Sequence, residues 1–250
     1  MSHESTSTQF ERTTDLATES ATLIEGLPGL GMVASIAVDR ITAQLDLERY
    51  GTIVSDDVPP VAAFEDGRVR DPVRVYGGED PAVVTLQSDV PIPPNAFESL
   101  SRCVVTDLAD SFDRAIFLAG APAESESQLG EVVGVATTDE LEAELTDAGV
   151  TLAEGSGVIG GVTGSLLKAC YDADVPAMIL VVHSNPYIPD PGAAESVIET
   201  ALEPLVEFDI DTTDLRERAE EIQRQMQRIA EQLQQYQQEP QQQPATPMFQ

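Results

Sequence analysis

Leu23-Ile24-Glu25-Gly26-Leu27-Pro28-Gly29-Leu30-Gly31-Met32-Val33 is the stretch on which the fold turns. Ala21 to Glu25 has strand length, Gly26 to Gly29 with Pro28 interrupts it, and a helical pattern runs from about Leu30 to Leu45. A strand, a glycine turn and a helix in that order open an α/β sheet. Glycines at 26, 29 and 31 let the backbone turn sharply and can present helix N-terminal amides to an anion. The spacing is G-x-x-G-x-G rather than the dinucleotide fingerprint, and no clear ribose-binding acid follows a second strand.

Downstream, Arg49 to Ser55, Val61 to Phe64, Val73 to Tyr76 and Ala82 to Gln87 read as strands divided by turn residues. From Asn95 to Ser111 the apolar residues Phe97, Leu100, Val104 and Leu108, and then Phe112, recur every three or four positions, which predicts a helix. Arg114 to Ala119 and Val132 to Thr137 are apolar runs of buried-strand length. Asp139 to Asp147 reads as a short helix capped by Thr138 or Asp139 and ended by Gly149. Leu166 to Ala173 and Ala193 to Val206 read as helices around a central strand, Ala177 to Val182. This alternation predicts an α/β three-layer sandwich, and the clustered middle strands make its sheet mixed. Residues 1–20 read as a flexible N-terminus or a peripheral strand, 21–212 as the core domain, 213–238 as a long helix and 239–250 as a disordered tail.

The long helix has its own signature. Leu215, Ala219, Ile222, Met226, Ile229, Leu233 and Tyr236 fall at alternating spacings of four and three, a heptad seam on a Gln/Glu/Arg surface. Such a seam needs cover, from its own domain or as a stalk or oligomer contact with a second copy. Pro240 ends it, and the Gln/Pro-rich stretch that follows reads as a flexible tether to Met248-Phe249-Gln250.

A second glycine stretch, Gly155 to Ser165, precedes a helix and includes Gly160, Gly161 and Gly164. Lys168 lies four residues past Gly164, whereas a phosphate-cradling loop puts its lysine directly after the glycine. The structural reading of both loops is tight turns and close helix–strand packing. The functional alternative is a ligand site with His183. His3 stands in the N-terminal stretch, so His183 is the one histidine available as a base, and no G-x-S-x-G elbow is present. Cys103 and Cys170 are too few for a disulfide framework and, with one usable histidine, make no metal-ligand cluster. No cofactor, metal or catalytic constellation is expected.

Composition sets the surroundings. Against 44 acidic residues stand 13 basic ones, a net charge of −31, and Lys168 is the single lysine. Such a surface repels nucleic-acid phosphates and anionic lipid, so neither is an expected partner. Self-repulsion would destabilise the fold in dilute salt, but at molar salt the screening length falls to roughly 3 Å, which points to a halophilic cytoplasm. Nothing approaches about 18 consecutive apolar residues, and Met1 to Glu19 lacks the apolar run of a signal peptide, so a cytoplasmic location is expected.

Three blocks together carry a family resemblance. The stretch from Leu23 to Val33 resembles the opening signature of the archaeal family of ATP-independent proteasome assembly chaperones. Gly157-Val158-Ile159-Gly160-Gly161-Val162-Thr163-Gly164-Ser165-Leu166-Leu167 is similar to its second signature. Ile179 to His183, with Pro189-Asp190-Pro191 and Ala193-Ala194 beyond, is similar to its third in order and spacing. The resemblance implies a core like that of nucleoside phosphorylases, homo-oligomeric assembly and no catalysis. It also implies a partner, the α ring of the proteasome core particle, which receives C-terminal peptides ending hydrophobic-tyrosine-any residue. Met248-Phe249-Gln250 is similar, with phenylalanine for tyrosine, which keeps ring burial and removes the phenolic hydroxyl. The expected function is therefore a proteasome assembly or accessory factor; the alternative is a phosphorylase-like enzyme or small-molecule binder at the two glycine loops.

Overall fold

The structure is a computed structural model that describes residues 8–15 and 20–238. In chain order its elements begin with β1 (Thr8–Arg12), β2 (Thr22–Gly26), α1 (Val33–Gln44) and β3 (Glu48–Ser55). Next come β4 (Ala63–Glu65), β5 (Arg68–Arg70), β6 (Val73–Glu79), β7 (Ala82–Ser88), α2 (Phe97–Asp107) and β8 (Arg114–Pro122). They continue with β9 (Val132–Ala136), α3 (Asp139–Asp147), β10 (Thr151–Leu152), α4 (Gly161–Asp172) and β11 (Ala177–Ser184). The last are α5 (Pro191–Val197), α6 (Glu203–Val206) and α7 (Thr213–Gln238), with a π turn over Ile198–Leu202 joining α5 to α6.

Nine strands form one mixed sheet in the order β1-β3-β6-β7-β2-β8-β11-β9-β10. Its centre, β7-β2-β8-β11, is parallel. The flanking β6, β3 and β1 run antiparallel in turn, and β9 pairs antiparallel with β11. Every residue of β2 is buried, as a parallel strand covered on both faces requires.

Two cores follow from the two-residue period of strands. Ile24, Ile116 and Leu180 face one side, where Val38 and Ile41 of α1, Leu145 of α3 and Val197 of α5 cover them. Their neighbours Leu23, Phe117 and Ile179 face the other, against Leu100 and Val104 of α2 and Leu166 of α4. The result is the expected three-layer α/β sandwich. Cys103 and Cys170 sit free and buried in the second core, and burial pushes each thiol up to about 12, far from thiolate chemistry at neutral pH.

Several expectations change. Of the two readings of residues 1–20, residues 8–12 take the peripheral strand: β1 is an edge strand paired with β3 over five residues. The run 61–64 does not join the main sheet; Ala63–Glu65 pairs with Arg68–Arg70 in a separate hairpin turning at Asp66 and Gly67. α4 starts at Gly161 rather than Leu166, because Gly161 adopts φ 72° and lets the loop enter the helix early. The heptad seam also divides. Leu215 is 2% exposed and belongs to the first core, so it serves its own domain and not a stalk or oligomer contact. Further along α7, Met226 is 50% exposed. The helix covers Ile229, Leu233 and Tyr236, whose side chains lie outside the described residues, as do Met248, Phe249 and Gln250.

Candidate functional site

The four parallel strands end at one edge of the sheet, and both glycine loops lie there. β8 ends in Ala121-Pro122, level with His183-Ser184 at the end of β11, and β2 ends lower, in Glu25-Gly26, level with Leu86-Gln87 of β7. Carboxyl edges of parallel strands are where open α/β sheets build sites.

Close approach accounts for three of the six glycines proposed for this site. A Cβ on Gly26 would stand 2.5 Å from the Cβ of Val38 in α1. Gly31 has φ 64°, and a Cβ there would lie 2.7 Å from the Ser184 Oγ. A Cβ on Gly164 would strike the Ile159 carbonyl. Gly29, Gly160 and Gly161 face open space, and of these only Gly161 needs glycine for its positive φ. Four of the six are thus explained structurally, three by close approach that seats helices α1 and α4 on the strands and Gly161 by its backbone, while Gly29 and Gly160 are not.

Glu25 joins the loops. Its side chain is fully buried, accepting from Leu27 N–H at 2.8 Å, Leu118 N–H at 3.4 Å and the Thr163 hydroxyl at 3.4 Å. Leu27 lies in the first glycine loop, Leu118 on β8 and Thr163 in the second glycine motif, so one carboxyl bridges three elements. Burial raises its pKa to about 8, outweighing the three donors, which lower it. Sequence reading passed over Glu25; its signal is one acid at the end of a strand otherwise buried and apolar.

His183 lies on the face of β11 that Ile179 and Val181 turn toward α2 and α4. Its Nδ1 lies 3.3 Å from the Pro122 carbonyl, and its backbone N–H donates to Glu131 at 2.9 Å. Its neighbour Ser184, one position on and therefore on the opposite face, packs against Gly31 and Gly120 instead. Beyond it, Asp190 accepts from Asn185 N–H at 2.8 Å and caps α5 through Ala193 N–H at 3.0 Å. The Asp190 N–H donates to the Gly31 carbonyl at 2.9 Å, which ties this proline-braced turn to the first glycine loop.

A groove of about 850 Å³ opens beside that turn. Leu129, Ile188, Pro189 and Pro191 line one side, and Ala219, Ile222 and Met226 of α7 line the other. Among the described residues no group of three or more His, Cys, Asp or Glu is arranged to hold a metal ion. No helix of the described residues is long and apolar enough to cross a membrane.

The molecule is thus a three-layer α/β sandwich whose two glycine turns are joined by a buried glutamate at the end of a central strand. Residues 23–230 match the PAC2 family model, and the chain belongs to that family. Among solved structures, Pyrococcus furiosus PbaA, an archaeal homolog of proteasome-assembly chaperone, superposes with a TM-score of 0.79 at 26% identity, over 92% of this chain and 94% of that one. Pyrococcus furiosus PbaB, an archaeal proteasome activator, shares the fold with a TM-score of 0.78 at 20% identity, over 89% and 98% of the two chains. An uncharacterised protein of Methanocaldococcus jannaschii is 28% identical over 220 residues, 88% of this chain and 90% of that protein.

Proposed function

We propose that this protein is a non-catalytic assembly or accessory factor of the proteasome, which binds the α ring of the core particle in part through Met248-Phe249-Gln250. The observation that carries this reading is the relation to PbaA across nearly the whole of both chains. Two features support it. Gly26, Gly31 and Gly164 and the buried Glu25 at the carboxyl edge serve packing rather than a ligand. The chain also continues past α7 into a polar stretch that carries Met248-Phe249-Gln250, whose two bulky apolar side chains suit capture in an apolar cleft. Several tails on one homo-oligomer would bind with avidity set by effective concentration. The acidic surface suits a cytoplasm of molar salt, where apolar contacts are kept and charge repulsion is screened.

A pull-down of the native core particle in molar KCl tests the tail. The full chain is expected to retain the core, and a version lacking Met248 to Gln250 to lose most of it. Retention by neither protein would remove the mechanism, and equal retention by both would move the whole contact to the body.

A further inference from the structure

The apolar exposure of this protein is gathered on one edge. Phe64 and Val69 are register partners on the β4–β5 hairpin, 74% and 77% exposed. The hairpin rises between the end of β3 and the start of β6, where Val73 pairs with Ser88 at the carboxyl end of β7. Arg70 and Arg74 both bind Asp89 there and anchor its base. Met32, 44% exposed, follows β2, and Tyr187, 92% exposed, follows β11. Val158, 97% exposed, stands in the loop entering α4, whose Thr163 bonds Glu25. Among the described residues the large apolar side chain exposed elsewhere is Tyr171, in the last turn of α4 at the opposite end of the strands.

The same edge is where α7 leaves the body. The helix starts near the far end of α1, with Asp214 3.1 Å from Arg40, and passes α5, where Ala219 packs on Gly192. It reaches the groove beside Ile188 and Pro189 at Met226 and continues to Gln238, about 18 Å further at 1.5 Å per residue. Twelve residues then remain to Gln250, a span of at most about 40 Å. That length puts a partner held by the terminus within reach of the edge that α7 passes.

We infer that the carboxyl edge, from the Phe64–Val69 hairpin to the groove beside Tyr187, is a second contact surface for the partner that the C-terminal tail addresses. The inference rests on the proteasome reading above and names the face of the body that meets the α ring. Large apolar side chains exposed along one edge of an otherwise charged protein mark an association site. Exposed Glu124, Glu126 and Glu131, beside the ends of β8 and β11, rim this edge, so the complementary surface is apolar with lysines or arginines around it. Anionic membranes are the wrong complement for that rim.

Binding of immobilised core particle by the full-length chain in molar KCl, read as Kd, tests this with three variants. Phe64→Ser with Val69→Ser and Val158→Ser with Tyr187→Ser alter the edge, and Tyr171→Ser is the control. All five side chains are exposed, so the fold is expected to survive, checked by an unchanged urea midpoint. Each edge pair is expected to weaken binding about tenfold or more, and Tyr171→Ser to leave it unchanged. Edge pairs that bind like the unmodified chain would overturn the inference while leaving the proteasome reading standing. An unmodified chain that does not bind would overturn both.

Discussion

Replacing Glu25 by glutamine is expected to make the protein more stable at pH 8.5, by on the order of 2–4 kcal/mol, and to leave it little changed near pH 5. Burial holds this carboxyl at about 8 against an ordinary 4.5. Between those values the folded state carries a proton that the unfolded chain has released. The stability contributed by the neutral carboxyl is therefore complete below pH 4.5 and is lost as pH rises through 8. Glutamine keeps the shape and stays neutral throughout, and its amide can still meet the Thr163 hydroxyl. Urea denaturation of both proteins at several pH values checks this. Two parallel pH profiles would show that Glu25 does not titrate in this window, and that its three donors outweigh desolvation.

Gly120→Ala is expected to cost on the order of 3 kcal/mol, although nothing in the local sequence marks Gly120 as special. A Cβ there would land on the Leu30 carbonyl, and 3.1 Å from the Ser184 Oγ. Backbone, not a flexible side chain, stands in the way, so the first glycine loop must move off β8. That loop carries the Gly31 carbonyl that receives Asp190 N–H, so the displacement spreads to the turn before α5. Gly29→Ala in the same loop is the control: nothing lies within 4 Å of its added carbon, and little change is expected. The urea midpoint should fall for Gly120→Ala and hold for Gly29→Ala; equal midpoints would mean that the loop gives way without cost.

These two sites show what sequence conveys and what it leaves out. Apolar runs such as Ala177 to Val182, buried on both faces, announce central strands because burial itself dictates their composition. The period along α2 and the N-cap at Thr138, which accepts from Leu141 N–H at 3.3 Å, are likewise local signals. β1 gives no such signal. Its one apolar residue is Phe10, whose ring lies 5.4 Å from that of Tyr50, and it is a strand because β3 offers an edge to pair with. Glu25, Ser184 and Gly120 acquire meaning only when three strands lie side by side, a juxtaposition of residues up to 159 positions apart (184 − 25). The two glycine motifs were visible as loops before helices, while their union through one carboxyl was not. The heptad spacing of α7 was legible as a helix, but whether Leu215 faced a partner or its own core depended on where α5 lay.

The most direct measurement is native-gel and sedimentation analysis of the full chain mixed, in molar KCl, with proteasome α subunits alone and with completed core particle from the same cells. A stable complex with either is expected, and which of the two binds more tightly separates an assembly role from an accessory one. Absence of any complex with both, by a chain that is folded in the same buffer, would contradict the proteasome reading.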